Sequence, residues 1–273
     1  MGEILIGTSG YSYKDWVGPF YPPGLPERQM LAFYAQRFPF TEVNATFYRL
    51  PPARTFEGML RHVPAGFLFT IKAYRTLTHE RETGSERDAR LFREALRPLE
   101  EAGRLGAVLL QFPYAFKNEA AERGWLGRLR EWLPDLPLVV EFRHEGWFRE
   151  ATYAWLRSLG LGFTSVDAPP LRGLPRPVAV ATSPIAYIRF HGRNAARWWS
   201  HGAAYERYDY LYRAEELEEW LPRVRELAAR SDRLFIAFNN HYQGQAVVNA
   251  RMLARLLGLE PAGERPGEGE PPR

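Results

Sequence analysis

Eight short apolar runs, spread evenly along the chain, constrain its fold more than any other feature. The runs at 4–8, 41–44, 67–72, 107–112, 138–142, 162–166, 186–190 and 234–238 have the length and lack of a polar face expected of strands buried on both sides. Between them, apolar positions recur at helical spacing over 27–37, 52–62, 86–101, 118–132, 150–159, 214–229 and 243–257. Only the link after the sixth run, 167–184, reads as loop. Its five prolines, Pro169, Pro170, Pro175, Pro177 and Pro184, oppose a regular helix. Eight β-α units over about 255 residues match the size of one (β/α)8 barrel. The fold expected is therefore α/β: a TIM-like (β/α)8 barrel in a single domain over 1–259, with the link between strands six and seven irregular. A doubly wound open sheet is the alternative. It would carry a glycine-rich fingerprint after strand one, whereas Gly7-Thr-Ser-Gly10 lacks the third glycine and runs into Tyr11-Ser-Tyr13, not into a helix. The Pro-, Gly- and Glu-rich tail 260–273 is expected to be disordered.

Composition narrows the class. No apolar run approaches the roughly 20 residues that span a bilayer. The chain opens on a strand-like segment in place of a signal peptide, and it contains no cysteine. A cytoplasmic protein is expected. Of the 36 basic residues only Lys14, Lys72 and Lys117 are lysine, and the net charge is +4. The arginine excess, the missing cysteine and the many prolines resemble a heat-adapted composition.

In such barrels the chemistry sits where strands end. Here all eight strands end in hydrogen-bonding side chains: Thr8 and Ser9, Asn44, Lys72, Gln111, Glu141 with Arg143, Asp167, Arg189 with His191, and Asn239-Asn-His241. Five of the six histidines (His79, His144, His191, His201, His241) fall on the same rim, as do all three lysines. Ordinary loop starts and ion pairs account for part of this enrichment. Lys72 is singled out because an arginine-rich chain keeps lysine where a compact amine matters, for a shifted pKa, for a Schiff base or for a point contact to phosphate. Its structural alternative is a buried partner for Glu42 or Glu141. Period-two alternation puts Glu141 and Arg143 on one face, so the carboxylate should stay ionised and suit an orienting or basic role.

The expected catalytic set is Lys72, Glu141, Asp167, His191 and His241. Arg143, Arg189 and Arg193 would bind negative charge, and Asn44, Gln111, Asn239 and Asn240 would orient a substrate. The loops after strands seven and eight often hold phosphate in this fold. Arg193 with the amides around Gly244 is the cradle expected there. A metal on Glu141, Asp167, His191 and His241 is possible but not favoured, because no HxH or HxxxH pair exists. No nucleotide-cofactor fingerprint is present, and the cofactor is left unknown. The segment 191–213 interleaves six aromatics with Arg193, Arg197 and Arg207. It reads either as a lid or as a stacking surface for nucleic acid.

Several segments together are similar to the YecE-like family, a TIM-barrel domain of unknown function. They are Ile6-Gly-Thr-Ser-Gly-Tyr-Ser-Tyr13, Glu42-Val-Asn-Ala-Thr-Phe-Tyr48, Leu109-Leu-Gln-Phe-Pro113, Val140-Glu-Phe-Arg-His144, Tyr187-Ile-Arg-Phe-His-Gly192 and Phe238-Asn-Asn-His241. The resemblance spans residues 4 to about 257 and implies the barrel; it implies no reaction. The function expected from the residues is an enzyme acting on an anionic, phosphate-bearing small molecule by proton transfer or hydrolysis. The alternatives are a nucleic-acid-binding or processing protein using 193–213, a metal-dependent hydrolase or isomerase, and a scaffold without catalysis. No membrane association is expected, and the oligomeric state is left open.

Overall fold

Each expected strand forms, and each pairs in parallel with the next: β1 (Glu3–Ser9), β2 (Phe40–Val43), β3 (Leu68–Lys72), β4 (Leu105–Gln111), β5 (Leu138–Glu141), β6 (Gly162–Asp167), β7 (Ile185–Phe190) and β8 (Arg233–Phe238). β1 also pairs with β8, with Ile4 opposite Leu234 and Thr8 opposite Phe238, and this closes the barrel. The computed structural model describes residues 1–82 and 84–259. The tail 260–273 expected to be disordered lies outside the described residues. None of the described helices is long and apolar enough to cross a membrane.

The helices are α1 (Glu27–Ala35), α2 (Ala45–Tyr48), α3 (Ala53–Leu60), α4 (Ser85–Glu101), α5 (Ala120–Trp132), α6 (Glu150–Ser158), α7 (Ala214–Glu218), α8 (Leu221–Ala229) and α9 (Gln245–Leu256). Two differ from the periodicity. The stretch 214–229 splits into α7 and α8 because Pro222, in the first turn of α8, has no N–H with which to continue the α7 ladder. One turn, α2, follows β2 directly; four residues are too few for an apolar stripe to announce. No helix forms between β6 and β7, as the prolines require.

Alternation along the strands makes two apolar layers. Leu5, Phe40, Leu68, Leu109, Val139, Tyr187 and Phe235 point inward and fill the lower barrel. Phe40 and Phe235 meet edge to face at 5.0 Å. Gly106 makes room for them, since a Cβ there would lie 2.6 Å from the Phe235 ring. The alternate residues, such as Ile6, Ile71, Leu110, Val140, Ile188 and Phe238, face the helices. Trp147 joins this outer layer, stacked on Phe142 at 4.1 Å with its Nε1 donating to the Phe116 carbonyl. Because Phe235 is wholly buried at the centre of the inner layer, Phe235→Ala is expected to cost about 3–5 kcal/mol in chemical denaturation. A loss below 1 kcal/mol would mean that the lower barrel is not closely packed.

Candidate functional site

The alternation that puts Phe40 and Leu68 inside the barrel also puts Ser9, Glu42, Gln111, Glu141, Arg189 and Asn239 inside, nearer the strand C-termini. The register sets Ser9 beside Glu42 and Gln111 beside Glu141. Arg189 is the hub. Its Nε and Nη2 donate to Glu42 at 3.0 and 2.6 Å, its Nη1 donates to Glu141 at 2.7 Å, and Nη2 also reaches Ser9 Oγ at 3.1 Å. Ser9 and Tyr187 each donate to Glu42, at 2.8 and 2.9 Å. Glu141 accepts in addition from Arg143 Nε and from His191 Nε2, the latter at 3.0 Å. Arg189, Glu42, Glu141 and His191 are all buried.

Above this layer opens a cavity of about 880 Å³, a size typical of small-molecule sites. Its floor is Lys72, Gln111, Arg143, Arg189 and Asn239. Its walls come from Tyr11 and Tyr13 after β1, from Asn44–Met59 after β2, and from Tyr208 and His241. Five cations line it, with Arg49 and Arg54 exposed at the mouth, and among the described residues no carboxylate does. Glu42 and Glu141 lie beneath, neutralising Arg189 and Arg143. Two wall residues each keep a buried polar atom without a partner, Asn44 Oδ1 and His241 Nδ1.

Residues 5–272 match the family described as "Protein of unknown function DUF72". The chain belongs to the DUF72 family. It is 30% identical over 278 residues to the UPF0759 protein YunF of Bacillus subtilis (strain 168), across 96% of this chain and 98% of that one. A DUF72 family protein (TM1631) of Thermotoga maritima MSB8 superposes with a TM-score of 0.86 at 40% identity, covering 94% of this chain and 99% of that one. A second, EF0366 of Enterococcus faecalis V583, gives 0.84 at 26% identity, covering 94% and 96%. The barrel is thus shared with these two solved DUF72 structures along nearly their whole length.

This DUF72 barrel gathers most of the residues expected from the sequence around one cavity. Lys72, Asn44, Gln111, Arg143, Arg189, Asn239 and His241 line it, and Glu141 and His191 support it from below. Asp167, Arg193, Asn240 and Gly244 fall elsewhere. Asp167 stands beside Phe190 in the register, so it shares the outward parity of that side chain. There it accepts from Tyr212, Trp220 and Arg193 at 2.6 to 3.2 Å. Arg193 also reaches Glu219 at 2.9 Å, so it lies within a cluster of acids. Asn240 takes the outward parity too, donating to Asn249 and to the Tyr210 carbonyl. The amides of the expected cradle are likewise engaged within the protein. Gln243 N donates to Asp15, Gly244 N to the His241 carbonyl, and the Gln245 side chain bridges Tyr210 N and Asp209. The cavity's cationic lining thus comes from β3, β7 and the segments after β2 and β5, while these groups of the β7/β8 corner are engaged within the protein.

The segment 191–213 packs down as a strap over the rim. Trp198 and Tyr212 are buried, Trp199 leans on Tyr114, and Tyr205 stacks on Tyr242. Glu141, Asp167, His191 and His241 do not converge, and among the described residues no three His, Asp or Glu cluster as metal ligands would. The expected catalytic and binding set leaves out Glu42, Ser9, Tyr187, Tyr13 and Tyr208, although Ser9 is placed on the rim and Glu42 is named as an alternative partner for Lys72. The signal for Glu42 was available: a glutamate inside the buried run Phe40-Thr-Glu-Val43, in step with the inward residues.

The charges set the protonation states. Burial works against an ionised Glu141, but Arg189, Arg143 and His191 outweigh it and hold the carboxyl well below its usual range. Burial first, then Arg143, pushes His191 down to about 3. It is therefore a neutral imidazole, with Nε2–H donated to Glu141 and Nδ1 accepting from Asn239 at 3.1 Å. Both ring nitrogens are engaged, so His191 positions Glu141. His241 is stacked on Tyr13 at 4.6 Å, and burial lowers its pKa as well. Burial would raise the Tyr208 phenol, but Arg143, Arg207 and Arg189 overcome it and lower the value. Lys72 moves furthest toward neutrality. Burial, then Arg189, brings it from 10.5 to about 7. Its ammonium has no hydrogen-bond or ion-pair partner among the described residues and sits 4.3 Å over the Phe47 ring.

Two outcomes follow. Arg189→Met strands two buried carboxylates, which is expected to cost about 3–5 kcal/mol. The deficit should shrink in acid, where Glu141, no longer held ionised by Arg189, can protonate; a deficit independent of pH in denaturation curves would contradict this network. For Lys72, the unfolded chain keeps its proton up to about 10.5 while the folded state releases it at about 7. Between those values the unfolded state binds more protons, so stability gains with rising pH. Lys72→Met in low-salt buffer should therefore raise Tm most below pH 7 and lose that advantage by about pH 10.5. A constant difference would place the amine in water.

Proposed function

We propose that this DUF72 protein is an enzyme acting on an anionic small molecule, held in the cavity above the Arg189 layer. The observation that carries the reading is the separation of charge by depth: cations face the cavity, Glu42 and Glu141 lie beneath them, and among the described residues no carboxylate lines it. Arg143 and Arg189 are held in place by Glu141 and Glu42, so an incoming carboxylate or phosphate meets donors that are already oriented. Lys72, with a pKa near neutrality, is the group best placed to move a proton or attack a substrate at physiological pH. Hydrolase, isomerase and lyase chemistry all fit such a base; a phosphate is the anion we favour. The acidic residues around Arg193 remove the observation that would have favoured the β7/β8 corner. The strap 191–213 buries Trp198 and Tyr212 but leaves Trp199 and Tyr205 exposed, so the nucleic-acid alternative rests on fewer aromatics than the sequence offers. The narrower YecE-like placement rests on the motifs already described and adds no reaction. A cytoplasmic location is read from the cysteine-free composition.

Inorganic phosphate provides the test. At tenfold its Kd a ligand of the folded state alone stabilises by roughly 1.4 kcal/mol, or a few degrees in Tm for a chain of this size. Phosphate should raise Tm beyond an ionic-strength control, and Arg143→Ala and Lys72→Met should each flatten the response. An equal shift with sodium chloride, or one unchanged in both variants, would sink the reading.

A further inference from the structure

We propose that Lys72 forms a covalent imine with the aldehyde or ketone carbon of an anionic ligand bound in this cavity. The inference deepens the anion-site reading and rests on it, by naming the ligand as a carbonyl compound that carries a carboxylate or phosphate.

Geometry is the first support. Lys72 ends β3 on the inward parity, and its main chain is pinned there. Thr46 Oγ1 donates to the Lys72 carbonyl at 2.6 Å, and Ala73 N donates to the Leu109 carbonyl at 2.9 Å. The side chain leads from that fixed point into the cavity along the Phe47 ring.

Availability is the second. The other two floor cations are engaged, Arg189 with Glu42 and Glu141 and Arg143 with Glu141. Two acids balance two guanidiniums, which leaves Lys72 as the surplus cation, and its nitrogen has no hydrogen-bond or ion-pair partner among the described residues. A cation needed only to hold an anion could be arginine, as it is at 33 of the 36 basic positions of this chain. An amine is required where nitrogen must lose its proton and form a bond to carbon, which guanidinium cannot do. The value near 7 agrees with that use.

The step balances without an oxidant or reductant. The neutral Lys72 amine attacks the carbonyl carbon, and the C=O π pair moves to oxygen to give a carbinolamine. Two N–H protons and that oxygen leave as one water as the C=N bond forms. Arg143 and Arg189 hold the ligand's anionic group, so the carbonyl is presented to Lys72.

The experiment is reductive trapping on the full chain near neutral pH. Two probes are used, pyridoxal 5′-phosphate and the smaller glyoxylate, each followed by sodium borohydride and peptide mapping. Lys14 and Lys117 are exposed and serve as internal standards. Lys72 should be labelled at least about tenfold faster than either, because an amine near pKa 7 is far more often unprotonated than an ordinary lysine. Inorganic phosphate should slow labelling at Lys72 only. Lys72→Arg should keep a phosphate-dependent rise in Tm while losing the selective adduct. Adducts spread evenly over Lys14, Lys72, Lys117 and Met1, with phosphate still raising Tm, would overturn the imine and leave the anion site standing. No selective adduct together with no phosphate effect would overturn both.

Discussion

A single buried guanidinium ties the mouth of this barrel together. Arg189, on β7, holds Glu42 of β2, Glu141 of β5 and Ser9 of β1, so four of the eight strands meet at one charge. Taking these ions out of water is costly, and a set of packed apolar side chains of the same volume would often do as well for stability. The arrangement achieves something that apolar packing cannot. It consumes the negative charge of both acids below the cavity floor and leaves the floor's upper surface cationic. Every partner that orients a floor cation is itself buried: Tyr187 fixes Glu42, and His191 fixes Glu141. The donors are set before any ligand arrives, which is the condition under which electrostatic binding wastes least free energy on reorganisation.

The barrel was legible because its causes are local and periodic. Eight runs without a polar face can only be strands covered on both sides, and helices at regular intervals supply one of those covers. The site was legible in part, for the same reason. Strand ends identify a rim, and the rim is where Lys72, Glu141, Arg143, Arg189 and Asn239 were found. What position along a strand cannot say is which way a side chain faces. Asp167 and Phe190 are register partners, as are Gln111 and Glu141, and the first pair faces the helices while the second faces the barrel. Parity counted from the apolar interior residues would have separated Asp167 and Asn240 from the others, and would have added Glu42. The β7/β8 corner was a different matter. Arg193 belongs to Asp167 and Glu219 through contacts 26 residues apart in the chain. Long-range pairing of that kind leaves no periodic trace.

Charge at the cavity floor also decides what kind of chemistry Lys72 can do. An anion beside an amine favours its protonated form, so a ligand that placed its charge on Lys72 would quench the nucleophile it needs. The floor separates the two tasks. The guanidiniums of Arg143 and Arg189 face the cavity and would carry the proposed anion, while their positive charges oppose protonation of Lys72. On the proposed function the guanidiniums would bind the substrate and at the same time keep the amine reactive, while Glu42 and Glu141 act on Lys72 in the opposite direction. With those acids absent, three clustered cations would repel one another and hold Lys72 neutral over a wider range; with acids in the lining itself, the amine would be an ordinary ion-pair partner. The buried second layer sets the balance between these limits, which is why the residues that never touch the cavity matter as much to its chemistry as those that do.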